Sequence, residues 1–226
     1  MTPPDTPLQI NQNLTDTVCL NCRNTVTLTP ATDALVCPNC DYTYLVLDGL
    51  PILLRDHKPN LAAAYMQHQR LIEENTQQLG KAADAQGRQP DREILARAVD
   101  AYESDNGYLR KLQTAIERHV SKAEVDKMEA ERLLPRQYTL GEGIGFFHRD
   151  WCWKQRAEDE IATILNTVTD QVDAFANDVD TVLVPGAGAG RFACELATKY
   201  DNSYAFDYSV HMAQIFYDLL QSDLTL

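Results

Sequence analysis

The sequence predicts a mixed α/β chain in three parts: a small β-rich ribbon, a helical middle region and the first β-α-β-α of an open sheet. Three observations lead to this prediction. Two Cys-x-x-Cys pairs lie 14 residues apart near the N-terminus, among short β-prone runs. Apolar residues then recur at helical spacing from Leu61 to about Leu134. Finally, an apolar strand runs into a glycine-rich turn at residues 182–191.

Changes in composition divide the 226 residues into four segments. Residues 1–16 are polar, carry three prolines and are expected to form a flexible tail. Residues 17–58 are predicted to form the ribbon. Residues 59–135 are predicted to form a helical connector, whose single apolar stripe we interpret as a packing face. Residues 136–226 hold the β-α-β-α segment.

Three local predictions concern the helices. The Asp105–Gly107 triplet is rich in turn-forming residues and predicts a break or kink. Residues 136–150 are predicted to be irregular because they are rich in glycine. An amphipathic helix is predicted from Trp151 to about Val172.

Composition limits the partners that the chain can have. Twenty basic and 33 acidic residues give a formal net charge of -13, which repels a phosphate backbone, so nucleic acid is not expected as a partner. No apolar run approaches the ~18 residues of a membrane-spanning helix. Residues 1–12 lack a basic region and an apolar core, so we expect a cytoplasmic protein without a membrane partner.

The paired cysteines predict a structural zinc site. A tetrahedral zinc ion takes four ligands, and each Cys-x-x-Cys turn places two thiolates on one side of the metal. The alternatives are coincidence and a redox dithiol, but a redox pair normally comes singly beside a βαβ unit. The predicted ligands are Cys19, Cys22, Cys37 and Cys40. The remaining Cys152 and Cys194 are isolated and are predicted to be buried, inert thiols.

The glycine-rich turn predicts a site for a nucleoside ligand. Gly186, Gly188 and Gly190 follow an apolar strand and precede a helix, where the backbone can turn tightly and approach a ligand. Asp207 ends the next predicted strand and could accept hydrogen bonds from ribose hydroxyls. The dinucleotide pattern G-x-G-x-x-G is not met, which disfavours NAD. The alternative is a tight structural turn of an unrelated α/β protein, with Asp207 on its surface.

Residues 37–54, CPNCDYTYLVLDGLPILL, resemble the zinc-ribbon module of the Trm112-like family. They depart from its signature at Leu45, where the family has proline, and at Leu50, where it has isoleucine. Members of that family act as small partners of methyltransferases or occur fused to them. The resemblance therefore implies a protein partner that docks through the ribbon.

Residues 182–193, VLVPGAGAGRFA, together with Phe206–Ser209 and Arg149–Trp151, resemble class I methyltransferases that use S-adenosylmethionine, closest to the carnosine N-methyltransferase-like group. The resemblance implies that Arg149 holds the carboxylate of the methionine part of the cofactor. It also implies that the three glycines line the cofactor and that Asp207 holds the ribose. The chain departs from the group at Phe146 and at Asp207, so the resemblance does not identify the methyl acceptor.

Arg149 also has a simpler interpretation, a surface ion pair with Asp150 or Glu158. Tyr138 and His148 lie near the presumed cofactor, but neither is assigned as a catalytic base.

A class I methyltransferase sheet has about seven strands, whereas two are predicted here. We therefore expect either the N-terminal part of a longer enzyme or a sheet that another chain completes. The expected function is a Rossmann-like, S-adenosylmethionine-dependent methyltransferase that acts on a small molecule or a peptide, with the ribbon serving docking or substrate access. The alternative is a non-catalytic, Trm112-like module that binds or activates a methyltransferase. Taken alone, the 226 residues are expected to bind cofactor weakly and not to turn over.

Overall fold

The computed structural model describes residues 17–31, 33–85, 92–152, 154–176 and 178–221. Within these ranges it contains eight short strands and seven α-helices, a mixed α/β architecture. Backbone contacts divide the chain into two compact units, whose described parts fall within residues 17–137 and 138–221. None of the described helices carries an apolar run long enough to span a bilayer.

Six strands build the ribbon of the first unit. Strands β1 and β2 form a short antiparallel hairpin, and the other four form an antiparallel sheet in the order β3-β4-β5-β6. Asp48 and Gly49 join the last two strands, with φ of 46° and 93°, because a two-residue hairpin turn of this hand needs positive φ at both positions. The strands are β1 (Thr17–Val18), β2 (Thr25–Val26), β3 (Thr29–Ala31), β4 (Ala34–Val36), β5 (Thr43–Leu47) and β6 (Leu50–Ile52).

Three helices follow in the same unit: α1 (Lys58–Ala85), α2 (Arg92–Glu117) and α3 (Lys122–Ala130). Helix α1 packs along α2 and, more briefly, against α3. Helix α3 begins at a capping box in which Ser121 and Glu124 satisfy each other's backbone N–H groups. Lys58 donates to the same Glu124 carboxylate at 2.6 Å, and this hydrogen bond, together with those from Ser121, lowers the pKa of Glu124 to about 2.

Of the break or kink predicted at Asp105–Gly107, the break is wrong, because α2 runs through this triplet without interruption. Asn106 is 3% exposed, and its Nδ2 atom lies 3.5 Å from the Thr76 hydroxyl on α1. Packing between the helices therefore overrides the turn propensity of the triplet. Gly107 lies on the exposed face of α2, where its only cost to helix stability is the backbone flexibility of glycine.

The second unit contains the predicted β-α-β-α order. Strands β7 and β8 pair in parallel, in a register from Thr181 opposite Asn202 to Pro185 opposite Phe206. The assignment to a Rossmann-like methyltransferase sheet needs more strands than these two and stays a prediction. In chain order the elements are α4 (Leu140–Phe147), a π-helical turn (His148–Cys152), α5 (Lys154–Phe175), β7 (Thr181–Pro185), α6 (Arg191–Leu196), β8 (Asn202–Phe206) and α7 (Val210–Leu220).

The prediction that residues 136–150 are irregular is wrong, because α4 and most of the π-helical turn lie there. Thr139 and Glu142 form a capping box that starts α4. Gly143, which suggested irregularity in the sequence, packs against α7: a Cβ there would lie 2.5 Å from Met212 Sδ. The helix predicted from Trp151 instead begins at Lys154, after the π-helical turn.

Candidate metal centre and ligand site

The four predicted zinc ligands converge in the ribbon, where their Sγ atoms all lie within 4.8 Å of one another. Cys19 and Cys40 have their sulfurs 3.8 Å apart, and those of Cys22 and Cys37 are 3.9 Å apart. Four ligands about 2.3 Å from a tetrahedral zinc ion lie about 3.8 Å from each other. The cluster could therefore hold a metal ion such as zinc. Four thiolates would fill its coordination shell and leave no position for a substrate.

The two cysteine turns repeat one backbone geometry. The carbonyl of Cys19 accepts the N–H of Arg23 at 2.9 Å, and that of Cys37 accepts the N–H of Asp41 at 2.9 Å. Arg23 and Asp41 both have left-handed backbones, with φ of 64° and 55°. This conformation is uncommon for residues with a side chain. Its repetition after both pairs indicates that each turn holds its two sulfurs in the same arrangement.

Tyr44, on β5, supplies a hydroxyl next to the metal centre. It lies 3.2 Å from Cys19 Sγ and accepts the Leu20 N–H at 2.8 Å. Arg55 supports the same turn, because its Nε donates to the Leu20 carbonyl at 2.7 Å. Neither side chain was predicted to contribute to the site. The run TYLVL of β5 is apolar on both faces, so it gave no local signal for this contact.

The cysteines differ in acidity. Burial raises the pKa of Cys19, but hydrogen bonds from Tyr44 and from backbone amides outweigh burial and lower that pKa to about 6. Burial raises the pKa of Cys37 to about 11 and that of Tyr44 to about 12. Tyr44 therefore keeps its proton at neutral pH, and its hydroxyl can donate a hydrogen bond to the Cys19 sulfur. Since a metal binds thiolates, loading the cluster must release protons, Cys37's among them.

The two isolated cysteines have different surroundings. Cys194 is 7% exposed, and burial raises its pKa to about 12, so it is the buried, inert thiol that the sequence predicts. Cys152 is half-buried in the π-helical turn, so the prediction of burial is wrong there. Neither cysteine joins a group of metal-ligating side chains among the described residues.

The three glycines of the turn after β7 have positive φ, but different neighbours. Their φ angles are 68° at Gly186, 55° at Gly188 and 76° at Gly190. A Cβ at Gly190 would lie 2.1 Å from the ring of Phe216, so this glycine allows α7 to pack closely. A Cβ at Gly186 would meet no atom within 4 Å. The first glycine therefore borders open space that a ligand could enter.

Asp207 lies beside this turn, as the sequence predicts. Its Oδ2 accepts the Gly188 N–H at 2.9 Å, and its Oδ1 accepts the Ser209 N–H at 2.8 Å. Phe206 strengthens the junction, because its carbonyl accepts the N–H of Gly186 at 2.9 Å. The end of β8 therefore holds the turn that follows β7. Each carboxylate oxygen has a second acceptor position, so Asp207 can also accept from a ligand.

Arg149 makes the surface ion pair that was its simpler interpretation. Its Nε donates to Asp150 Oδ1 at 2.6 Å, and its guanidinium lies 5.4 Å from the ring centroid of Phe146. Tyr138 packs edge-on against the same ring, with centroids 5.9 Å apart. The Arg149 side chain is 47% exposed, so it is accessible from solvent. Asp150 uses only the Nε donor, and the predicted role of Arg149 toward a cofactor carboxylate stays a prediction.

Trp151, for which no separate role was predicted, connects the π-helical turn to the glycine-rich turn. Its Nε1 donates to the Ala189 carbonyl at 2.8 Å. The guanidinium of Arg191 lies 5.2 Å from the indole centroid, and Arg191 Nε donates to Glu195 at 2.7 Å. The Arg-Asp-Trp segment and the glycines, distant in sequence, are thereby joined through the tryptophan.

Comparisons with known proteins give no match to a family model and no significant match to a curated protein or to a solved structure. The interpretations as a Trm112-like ribbon and as part of a class I methyltransferase are therefore proposals, which rest on the residues and on the geometry described above.

Proposed function

We propose that this chain carries the nucleoside-binding part of an S-adenosylmethionine-dependent methyltransferase of class I, together with a structural zinc ribbon. The hydrogen bond from the Gly188 N–H to Asp207 carries the proposal, since it joins the glycine-rich turn after β7 to the acidic residue after β8. Both lie at the carboxyl ends of two parallel strands, which is where open α/β sheets bind their ligands.

The residues present fit such a ligand. Two backbone N–H groups fix the orientation of the Asp207 carboxylate, which can still accept from the two hydroxyls of a ribose. Gly186 leaves space beside the turn for close approach. The Nη groups of Arg149, which Asp150 does not use, would donate to the carboxylate of an amino-acid moiety. Bound S-adenosylmethionine would supply an electrophilic methyl group, and the protein would contribute mainly by positioning it against an acceptor.

The zinc ribbon is assigned a structural and docking role. Its closed four-sulfur shell leaves no site for chemistry. Val18 and Leu20, on either side of Cys19, are 51% and 39% exposed, and they offer an apolar patch beside the metal. Such a patch suits contact with a protein partner or with the region that admits a substrate.

Calorimetric titration of the full chain with S-adenosylhomocysteine tests the nucleoside site. We expect weak but saturable binding at one site, no binding of NAD, and a several-fold loss of affinity in Asp207→Asn, whose amide cannot accept on both sides. Exposed Asp201→Asn is the matched control and should bind as the wild type does. Tight binding of NAD, or equal affinity of Asp207→Asn and wild type, would contradict the proposal.

Metal analysis tests the zinc centre. We expect one zinc per chain, lost in Cys22→Ser and kept in Cys152→Ser. A cobalt-substituted protein should show the intense visible absorption of a tetrahedral thiolate site. Retention of stoichiometric zinc in Cys22→Ser would contradict the ligand set.

A second candidate is the non-catalytic Trm112-like module that binds or activates a methyltransferase. It is favoured by the compactness of the first unit, in which the ribbon has its own core around Leu28, Leu35 and Tyr44. A binding experiment separates the two candidate functions. Absence of S-adenosylhomocysteine binding, together with a stable complex with a separate methyltransferase, would favour the module; binding by this chain alone would favour the enzyme.

A further inference from the structure

Trp151 reaches the middle of the glycine-rich turn from the π-helical turn His148–Cys152. Its indole N–H donates to the carbonyl of Ala189, between Gly188 and Gly190, with 2.8 Å between Nε1 and the oxygen. Ala189 is 4% exposed, so this peptide group is shielded from bulk water. A shielded carbonyl is costly to leave without a donor, and the indole supplies one.

Arg191 and Glu195 hold the indole in place. Arg191 is only 8% exposed, and its guanidinium lies 5.2 Å from the Trp151 ring centroid. Its Nε donates to Glu195 Oε1 at 2.7 Å. A buried guanidinium is stable only where its charge is matched, here by a carboxylate and by an aromatic face. The position of the indole is therefore set by an ion pair whose arginine is nearly buried.

The turn is held from its other side by the end of β8. Asp207 accepts the Gly188 N–H, and the Phe206 carbonyl accepts the N–H groups of Gly186 and Ala187 at 2.9 and 3.2 Å. Glycines give this segment more backbone freedom than other residues would. Two independent anchors, β8 and the indole, reduce that freedom before any ligand arrives, which lowers the entropy cost of binding.

We propose that Trp151 is a positioning residue that orders the glycine-rich turn for its ligand. The inference rests on the proposed function, since the ligand is the nucleoside assigned there. The indole acts through the Ala189 peptide and does not react. Because it touches the turn directly, its surroundings change when the turn is occupied.

Hydrogen exchange on the ligand-free full chain tests the ordering role. Trp151→Phe keeps an aromatic ring beside Arg191 and removes the N–H donor. We expect amide exchange in residues 186–190 to rise about tenfold in this variant, with exchange in the strand β7 little changed. Leu165→Ala, at a buried position of α5, is the control and should affect β7 and the turn alike. Unchanged exchange of the turn in Trp151→Phe would overturn the inference.

Fluorescence and calorimetry test the consequence for binding. The chain has two tryptophans, so Trp153→Phe leaves Trp151 as its only one. In that variant we expect the emission of Trp151 to shift when S-adenosylhomocysteine is added, and in Trp151→Phe we expect the Kd to rise about tenfold. Wild-type affinity in Trp151→Phe would overturn the positioning role and leave the proposed function standing. If the wild type binds no S-adenosylhomocysteine, the proposed function fails, and the exchange comparison still decides the role of Trp151.

Discussion

The hydroxyl of Tyr44 lies 3.2 Å from Cys19 Sγ, and it also accepts the N–H of Leu20 at 2.8 Å. One side chain on β5 thereby holds both a predicted ligand and the backbone of the turn that carries it. Tyr44 is 2% exposed, and its contact with the Cys19 sulfur is buried. Groups that contact metal ligands in this way orient them and tune their affinity.

Tyr44→Phe is expected to weaken zinc binding about tenfold to a hundredfold, because the Cys19 sulfur loses its donor and the Leu20 N–H loses its acceptor. Competition with a chromophoric zinc chelator measures the change. Tyr42→Phe is the matched control: its ring packs against Tyr44 with centroids 4.9 Å apart, but its hydroxyl donates to the exposed Arg55 carbonyl. An equal loss in both variants would contradict the specific role given to the Tyr44 hydroxyl.

Zinc removal is expected to unfold the ribbon and to leave the helices α1 and α2 largely formed. Cys19 and Cys37 belong to the ribbon core, so chelation removes the link that holds that core together. The helices have their own interface. Arg118, just after α2, forms an ion pair with Asp48 of the ribbon that is half-exposed and contributes little.

Hydrogen exchange before and after chelation separates these outcomes. Protection should be lost in residues 17–55 and kept in α1 and α2. A parallel loss of helical circular dichroism would instead show that the helices depend on the metal centre.

Gly190→Ala is expected to destabilise the second unit by about 3 kcal/mol. A methyl group there would lie 2.1 Å from the Phe216 ring, on a backbone with φ of 76° that disfavours alanine. Gly145→Ala is the control in α4, where a Cβ meets nothing within 4 Å and alanine should stabilise by about 0.5–1 kcal/mol.

Urea unfolding of both glycine variants measures these changes. Adding Phe216→Leu to Gly190→Ala should recover part of the loss by making room for the methyl group. A neutral Gly190→Ala would show that α7 does not pack against the turn as described.

Local sequence patterns were enough to predict the cysteine cluster and the β-α-β-α order. The ligand set follows from spacing, because two Cys-x-x-Cys turns can close around one ion with few other arrangements. Strand β7 follows from a compact apolar run that ends at a glycine, and β8 from a short run with two aromatic residues that ends at an aspartate. Both signals are contained within a few neighbouring residues.

Contacts between residues far apart in the sequence could not be predicted from such local patterns. The Tyr44–Cys19 contact spans 25 positions and depends on the register of the ribbon, while the Trp151–Ala189 bond spans 38 positions. Helix α4 is a different case, because its Thr139 capping box is a local signal that its glycines obscured. The continuity of α2 at Asn106 depends on packing against α1, which composition alone does not reveal.

Acid is expected to destabilise the second unit through His211, which is fully buried at the start of α7. Burial lowers the pKa of His211 to about 4, and the charge of Asp207 offsets only part of that effect. Above pH 6.5 the imidazole is neutral in the folded and the unfolded chain, so it has no influence on stability. Between pH 6.5 and 4 the unfolded chain binds a proton that the folded chain does not, and about 3 kcal/mol of stability is lost as the pH falls.

His211→Gln should therefore flatten the pH dependence of unfolding over this interval, because glutamine does not titrate. Urea midpoints at pH 7, 5.5 and 4.5 measure the difference between the variant and the wild type. The exposed His148→Gln is the control and should keep the wild-type slope. Since zinc loss at low pH affects all three proteins equally, it cancels in the comparison. Identical slopes for His211→Gln and the wild type would mean that His211 takes up its proton in the folded protein, which its burial opposes.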